Sequence, residues 1–376
     1  VEDLGSRHGT WLDGESITSA LARPGQLLRF GQSLALVMED IEREAVPPRR
    51  LSAAFLGTRE GVIAGSALSA VWEQATRVAK MTQPALLLGE SGVGKEAVAR
   101  LLHAASGREG RFVALNASAV PSELFESELF GHERGSFSGA ERSRLGAFRE
   151  ADGGVLFLDE VAELRPEHQT KLLRALDQLR VRPVGSEREI AVDVRVVAAT
   201  SRDIQSQCAA GAFRQDLYYR LAGIVIRVPP LRERREDVAW LTRLHLSRHA
   251  PERSLSPLAL ERLMLAPWPG NVRELQHALT QAELAAVQAG ASVIGVEHLP
   301  ARNAPSVSAP GPLNVEALRS ALARCGGSAK RAAQELGVSR ATFYNLCRRL
   351  GTEPSALRLP VSAERGEADL GSDRGE

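Results

Sequence analysis

The stretch ALLLGESGVGKEAVARLLHAAS, residues 85–106, decides the reading of this chain. Its four leading apolar residues read as a short buried strand, and EAVARLLHAAS reads as an amphipathic helix. Between them GESGVGKE, residues 89–96, is a glycine-rich turn in the strand-to-helix context that a phosphate-binding loop requires. Gly89, Gly92 and Gly94 permit backbone angles that aim the N–H groups of this turn, Glu90, Ser91 and Val93 among them, at phosphate oxygens. The following helix adds the positive end of its dipole, and Lys95 has the reach for β- and γ-phosphates. Glu96 departs from the general motif, standing where Ser or Thr commonly holds magnesium.

Further along, GGVLFLDE at 153–160 supplies four apolar residues and then two acids at the carboxyl end of a strand, where ligands bind in open α/β sheets. Asp159 suits Mg2+, directly or through water, and Glu160 suits polarisation of an attacking water. Strand-like runs (ALLLG, FVALN, GGVLFLD, VRVVAAT) alternate with helical stretches from about residue 55 to 300. That is the pattern of an α/β domain with a parallel sheet, turning purely helical from about residue 235. Residues 1–38 alternate apolar and polar around glycine turns and read as short β-strands. Residues 39–54, with the charged EDIEREAVPPRR, read as a linker, and the Pro/Ser-rich 301–312 as another.

The 376 residues suffice for two or three domains, and apolar (44%) and charged (25%) fractions exclude wholesale disorder. No apolar run approaches the roughly 18–20 residues needed to span a bilayer, which argues for no membrane partner and a cytoplasmic protein. The chain starts at Val1 and reads as a fragment or processed product. Cys208, Cys325 and Cys347 lack metal-ligand spacing and read as idle thiols in a reducing compartment. Net charge is near zero, yet residues 313–351 hold seven basic side chains against two acidic ones, a credible phosphate-facing patch. Within it GGSAKRAAQELGVSRATFYNLCRRLG, 326–351, has the helix-turn-helix pattern. Gly337 permits the turn, and the second helix would enter the major groove. Ser339, Arg340, Thr342, Asn345 and Arg348 are candidate contacts to bases or phosphates, whereas Phe343, Leu346 and Leu350 read as core. A helical hairpin for dimerisation stays open beside this reading. The polar 352–376 reads as a disordered tail.

With these residues in view, the sequence resembles the AAA+ domain of sigma-54-dependent (NtrC-like) bacterial activators. The phosphate loop ending in Lys-Glu is that family's own variant. SELFESELFGHERGSFSGA at 122–140 resembles the family's signature insertion, whose tip usually reads GAFTGA and touches sigma-54. The contact set implied is Gly135, Ser136, Phe137, Ser138, Gly139 and Ala140, with Ser136 and Ser138 replacing Ala and Thr. Asn116 resembles the asparagine that restrains the catalytic glutamate, here Glu160, although Ala117 replaces the usual Cys. Thr200 keeps the sensor position; Ser201 replaces the usual Asn, and its shorter reach implies altered nucleotide sensing. Arg214 and Arg220 match arginine fingers, and Arg273 in WPGNVREL matches the second sensor, on a helical lid. Together these imply ATP and Mg2+ as ligands and a homo-oligomer passing from dimer to hexameric ring with ATP between subunits. The C-terminal unit resembles the family's Fis-type domain, which usually dimerises on palindromic enhancers.

DLGSRHGTWLDGESI followed by LLRFGQSLALV resembles the last third of a forkhead-associated (FHA) domain, a phosphothreonine-binding β-sandwich. His8 replaces the usual Asn, and this third alone cannot build the sandwich. A phosphothreonine protein is thus an expected partner of the complete domain, and a β-hairpin remnant is the plainer reading. For the whole chain the resemblance implies ATP-dependent remodelling of sigma-54 RNA polymerase at enhancer DNA. Two alternatives stay open: an AAA+ DNA-binding regulator that does not engage sigma-54, and a ring ATPase acting on other substrates.

Overall fold

The N-terminal residues fold as an antiparallel sheet of four strands, β1 (Thr10–Leu12), β2 (Glu15–Ile17), β3 (Leu27–Phe30) and β4 (Ser33–Leu36), in the order β2-β1-β3-β4. Asp13 and Gly14 close the first hairpin with φ of 48° and 84°, the left-handed pair that a two-residue turn demands. The computed structural model describes residues 1–38, 49–51, 62–137, 140 and 142–300. Within the expected linker, β5 (Arg49–Leu51) pairs antiparallel with β6 (Val62–Ala64).

The α/β domain then runs α1 (Ser66–Val78), β7 (Ala85–Leu88), α2 (Lys95–Ala104), β8 (Phe112–Asn116), α3 (Ser122–Phe130), α4 (Ala147–Glu150), β9 (Val155–Asp159) and α5 (Pro166–Gln178). A small antiparallel pair, β10 (Arg180–Val181) and β11 (Ile190–Ala191), precedes β12 (Arg195–Thr200), α6 (Ile204–Ala209), α7 (Gln215–Leu221) and β13 (Ile224–Arg227). The five-stranded sheet has the order β13-β7-β12-β9-β8 and is parallel throughout. Its strands are apolar on both faces because both faces are covered. Leu87, Phe157 and Ala199 pack with Trp72, Leu101 and Leu102 on the side of α1 and α2. The alternate residues Leu86, Leu158 and Ala198 pack on the opposite side with Phe125, Phe148, Leu172 and Leu217.

A helical lid follows: a 3-10 turn at Leu231–Glu233, α8 (Arg235–His249), β14 (Ser254–Leu255), α9 (Pro257–Leu265), α10 (Asn271–Gln288) and β15 (Val293–Ile294). Trp268, 1% exposed, donates its indole N–H to the Leu263 carbonyl and centres the lid core. The N-terminal sheet is not a free hairpin remnant. One of its faces joins that same core through Leu27, Leu34 and Leu36, which pack with Leu263 and Met264. Among the described residues no helix is long and apolar enough to cross a membrane. Residues 301–376, which carry the helix-turn-helix pattern, form a second unit outside the described residues.

Candidate functional site

The sheet order sets the site. β12 lies between β7 and β9, so the carboxyl ends of three adjacent strands deliver the phosphate loop, Thr200–Ser201 and Asp159–Glu160 side by side. Gly92 and Gly94 adopt the expected left-handed angles, φ 77° and 103°. Gly89 does not, and it is needed for space: a Cβ there would sit 2.7 Å from the Val228 carbonyl. Lys95, 6% exposed, opens α2 and donates to the carbonyls of Gly89 (2.8 Å) and Glu90 (3.2 Å), which brings its ammonium to the mouth of the loop. Val93 is buried beneath the loop, and Glu96 faces outward, paired with Arg100 one turn on.

Asp159 and Glu160 face this ammonium. Glu160 Oε1 lies 3.6 Å from Lys95 Nζ. Its Oε2 accepts from the backbone N–H and the hydroxyl of Ser201, both at 2.9 Å. Glu160 has φ of 51°, a left-handed angle that costs about 1 kcal/mol for a non-glycine residue and is held by these contacts. Burial raises the Asp159 carboxyl above its ordinary pKa, and the neighbouring Glu160 and Glu96 charges push the same way against Lys95. A carboxylate in that position is stabilised by a cation, and the oxygen donors of Asp159 suit Mg2+.

Asn116 stands opposite Asp159 in the β8–β9 register, but its carbonyl oxygen accepts from the backbone N–H and hydroxyl of Ser118. The Glu160 carboxylate is thus met here by Ser201, while the Asn116 oxygen is engaged by Ser118. Thr200, 1% exposed, accepts from the Arg202 N–H through its hydroxyl and from the Gly89 N–H through its carbonyl (3.4 Å). Arg214 and Arg220 sit at the two ends of α7 and are paired with Asp216 and with Asp177, at 2.7 and 3.1 Å. Both are exposed and lie among local surface partners.

The lid closes on that loop through Arg273, expected there, and through Asn271, Arg232 and Arg234, whose contacts the sequence pattern did not single out. Asn271, wholly buried with φ of 52°, does not cap its helix. Its amide donates to Glu90 Oε2 and to the Ser91 carbonyl, each 3.0 Å, while its oxygen accepts from the Leu231 N–H at 2.8 Å. Arg232 grips Glu90 with two bonds of 2.9 and 2.7 Å, and this pairing holds the Glu90 carboxyl below its ordinary pKa. Arg234, 2% exposed, donates to the Val93 carbonyl (2.7 Å) and pairs with buried Asp237, which in turn accepts from the Gly65 N–H at 2.6 Å. Arg273 donates to the Ser91 hydroxyl at 3.2 Å.

The inserted loop leaves α3 at Gly131 and rejoins at Gly146. A Cβ at either position would overlap the backbone of the other limb, so the two limbs pinch together at the base. Gly135 donates to the Ala140 carbonyl and Ala140 to the Phe137 carbonyl, forming a tight tip. Phe137, 37% exposed, lies edge-on to His132 at 5.0 Å between ring centres. Ser136 packs against Gly185 of the neighbouring loop, while Ala140 is buried. Ser138 and Gly139 fall outside the described residues, as do Ser339, Arg340, Thr342, Asn345 and Arg348.

Residues 62–227 match the Sigma-54 interaction domain, residues 232–313 an AAA+ ATPase lid domain, and residues 315–345 the Fis family of bacterial regulatory proteins. The transcriptional regulatory protein GlrR of Escherichia coli is 41% identical over 303 residues, covering 77% of this chain and 68% of GlrR. The chain belongs to the sigma-54-dependent transcriptional activators. ZraR of Klebsiella oxytoca is 43% identical over 74% of this chain and 66% of its own length. PilR of Pseudomonas aeruginosa reaches 50% over 57% and 50% respectively. The crystal structure of NtrX from Brucella abortus in complex with ATP superposes with a TM-score of 0.57 at 32% identity, over 76% of this chain and 68% of NtrX. Its complex with ADP gives 0.59. The activator's nucleotide domain is thus an AAA+ ATPase fold, followed by a Fis-type DNA-binding domain. The chain spans about two thirds of the length of the curated relatives it matches, from 65% to 67% for the first three.

Proposed function

We propose that this activator couples ATP hydrolysis to remodelling of sigma-54 RNA polymerase closed complexes, from enhancer DNA and within the bacterial cytoplasm. The observation that carries the reading is the Glu160 carboxylate, held by Ser201 at 2.9 Å and facing Lys95 at 3.6 Å at the head of the phosphate loop. Lys95 neutralises the β- and γ-phosphate oxygens of ATP, and the loop N–H groups orient them. Glu160 orients a water on the γ-phosphorus and takes its proton as the new P–O bond forms and the bond to ADP breaks. Mg2+ at Asp159 would draw off charge on the β- and γ-oxygens. Thr200 and Ser201 report the state of the γ-phosphate to β12, and Arg273 clamps the lid over Ser91.

Arg214 and Arg220 are exposed and held by surface pairs with Asp216 and Asp177, which supports a ring in which they exchange those partners for a neighbour's γ-phosphate. The tip around Phe137, including Ser138 and Gly139, contacts sigma-54. Dimers bind palindromic sites through Ser339, Arg340, Thr342, Asn345 and Arg348, then assemble to a hexamer. Residues 1–38 act as forkhead-associated sheet strands, a class of fold that takes phosphothreonine proteins.

The test is a native-gel assay with purified sigma-54 and ADP–aluminium fluoride. A trapped complex that vanishes with Phe137→Ala supports the activator mechanism. Hydrolysis without a complex would instead identify a DNA-binding ATPase that does not engage sigma-54, a reading favoured by Ser136 and Ser138 in the tip.

A further inference from the structure

The sheet at the N-terminus lies against the lid through one face with a distinctive make-up. In a strand, alternate residues share a face, and Leu27 and Arg29 of β3 both turn to the lid. Arg29 stands opposite Trp11 in the β1–β3 register, and its guanidinium lies 4.5 Å from the Trp11 ring centre. So stacked, it donates from Nε to Glu261 Oε2 of α9 at 2.6 Å. Both side chains are largely removed from water, 12% and 3% exposed, and Glu261 Oε1 is buried with no partner. A buried ion pair with one oxygen unsatisfied is a poor way to glue two surfaces, since apolar residues of the same volume bind as well or better.

A second contact shows where the grip leads. Arg235, the first residue of α8, donates to the Gly25 carbonyl at 3.0 Å and meets Asp13 Oδ1 at 3.4 Å. Asp13 is fixed in turn by the Leu27 N–H (2.9 Å) and by Gln26 (3.0 Å). Arg235 adjoins Arg234, whose guanidinium holds the Val93 carbonyl, and lies three residues from Arg232, which holds Glu90. The sheet and the phosphate loop therefore pull on opposite sides of one short segment, residues 232–235.

We propose that the N-terminal sheet is a clamp on the lid, and that Arg29, Glu261, Asp13 and Arg235 are positioning residues for nucleotide binding. The clamp keeps residues 232–235 seated on Glu90 and Val93, so a signal that loosens the sheet lowers ATP affinity. This rests on the ATPase reading of the site. The experiment compares the full chain with Arg29→Gln, Glu261→Gln, the double variant, and Asp13→Asn at the solvent-facing edge of the contact. The readouts are the Kd of a fluorescent ATP analogue, KM and kcat for ATP, and melting temperature. Each single change weakens nucleotide binding about five-fold, the low end of measured couplings between sites. The double variant is no weaker than the worse single one, and kcat at saturating ATP is unchanged. Affinities within two-fold of the unaltered chain, alongside a lowered melting temperature, would make the contact merely structural and overturn the proposal. Turnover by the unaltered chain is read in the same preparations: its absence with the affinity shifts intact removes the hydrolytic reading and leaves the clamp standing.

Discussion

Asn271→Ala is the most informative single change, because three separable effects meet at one side chain. The Leu231 N–H loses its acceptor in a buried place, at a cost of about 1–3 kcal/mol. The amide bonds to Glu90 and Ser91 vanish too, together about 1–2 kcal/mol, with Glu90 still held by Arg232. The left-handed backbone, φ 52°, costs alanine about a further 1 kcal/mol. The sum is about 4 kcal/mol, which for a unit of this size lowers the melting temperature by about 10 °C. Asn271→Gly removes the same hydrogen bonds but tolerates the backbone angle, and it should recover about 1 kcal/mol of the loss. Urea titrations of the two variants, with nucleotide affinity measured alongside, isolate the backbone contribution. Nucleotide affinity should fall about ten-fold in both, since the lid then meets the loop without its central tie. A melting point for Asn271→Ala within 2 °C of the unaltered chain would refute the reasoning, as would a glycine variant less stable than the alanine one.

Two further predictions follow from the acids at the strand ends. Ser201→Ala frees Glu160 Oε2 from one of its two donors, so kcat should change by about ten-fold with ATP affinity nearly constant; a steady-state assay that finds KM moved and kcat unmoved contradicts it. Asp159→Asn should raise the melting temperature of the metal-free chain at pH 7 by about 2 °C. The sign follows from the raised folded pKa: the native carboxyl binds a proton more readily than the unfolded one. Stability is thus lost as pH climbs from about 3.8 through the folded value, and the gain from Asn disappears as the pH is lowered toward 4. With Mg2+ and nucleotide present the order reverses, which thermal melts over a pH series will show.

The strands and the phosphate loop were legible because local chemistry writes them: four apolar residues, then glycines, then Lys95. Asp159 and Glu160 could be read for the same reason, as acids that end a buried run. Apart from Arg273, the lid contacts were not. RERRED, residues 232–237, looks like any solvated charge run, and only the folded chain reveals that Arg234 and Asp237 are buried while Arg232 reaches Glu90. Asn271 follows Pro-Gly, where asparagine usually serves a turn, and nothing local shows that its amide reaches Glu90 and Ser91. Arg29 and Glu261 are 232 residues apart, and no local rule pairs them. Which side chain meets Glu160 turns on which one is already engaged by its own neighbouring backbone. Asn116 is taken by Ser118 two residues on, a competition common to Asn near strand ends.

The pinch between Gly131 and Gly146 binds the two limbs of the inserted loop together at their base, where backbone meets backbone. A displacement of α3 or α4 should therefore carry both limbs with it, since neither can move at the base without the other. Neither glycine admits a side chain, so alanine at Gly131 or Gly146 should distort the whole loop, whereas a change at Ser136 should alter only the tip.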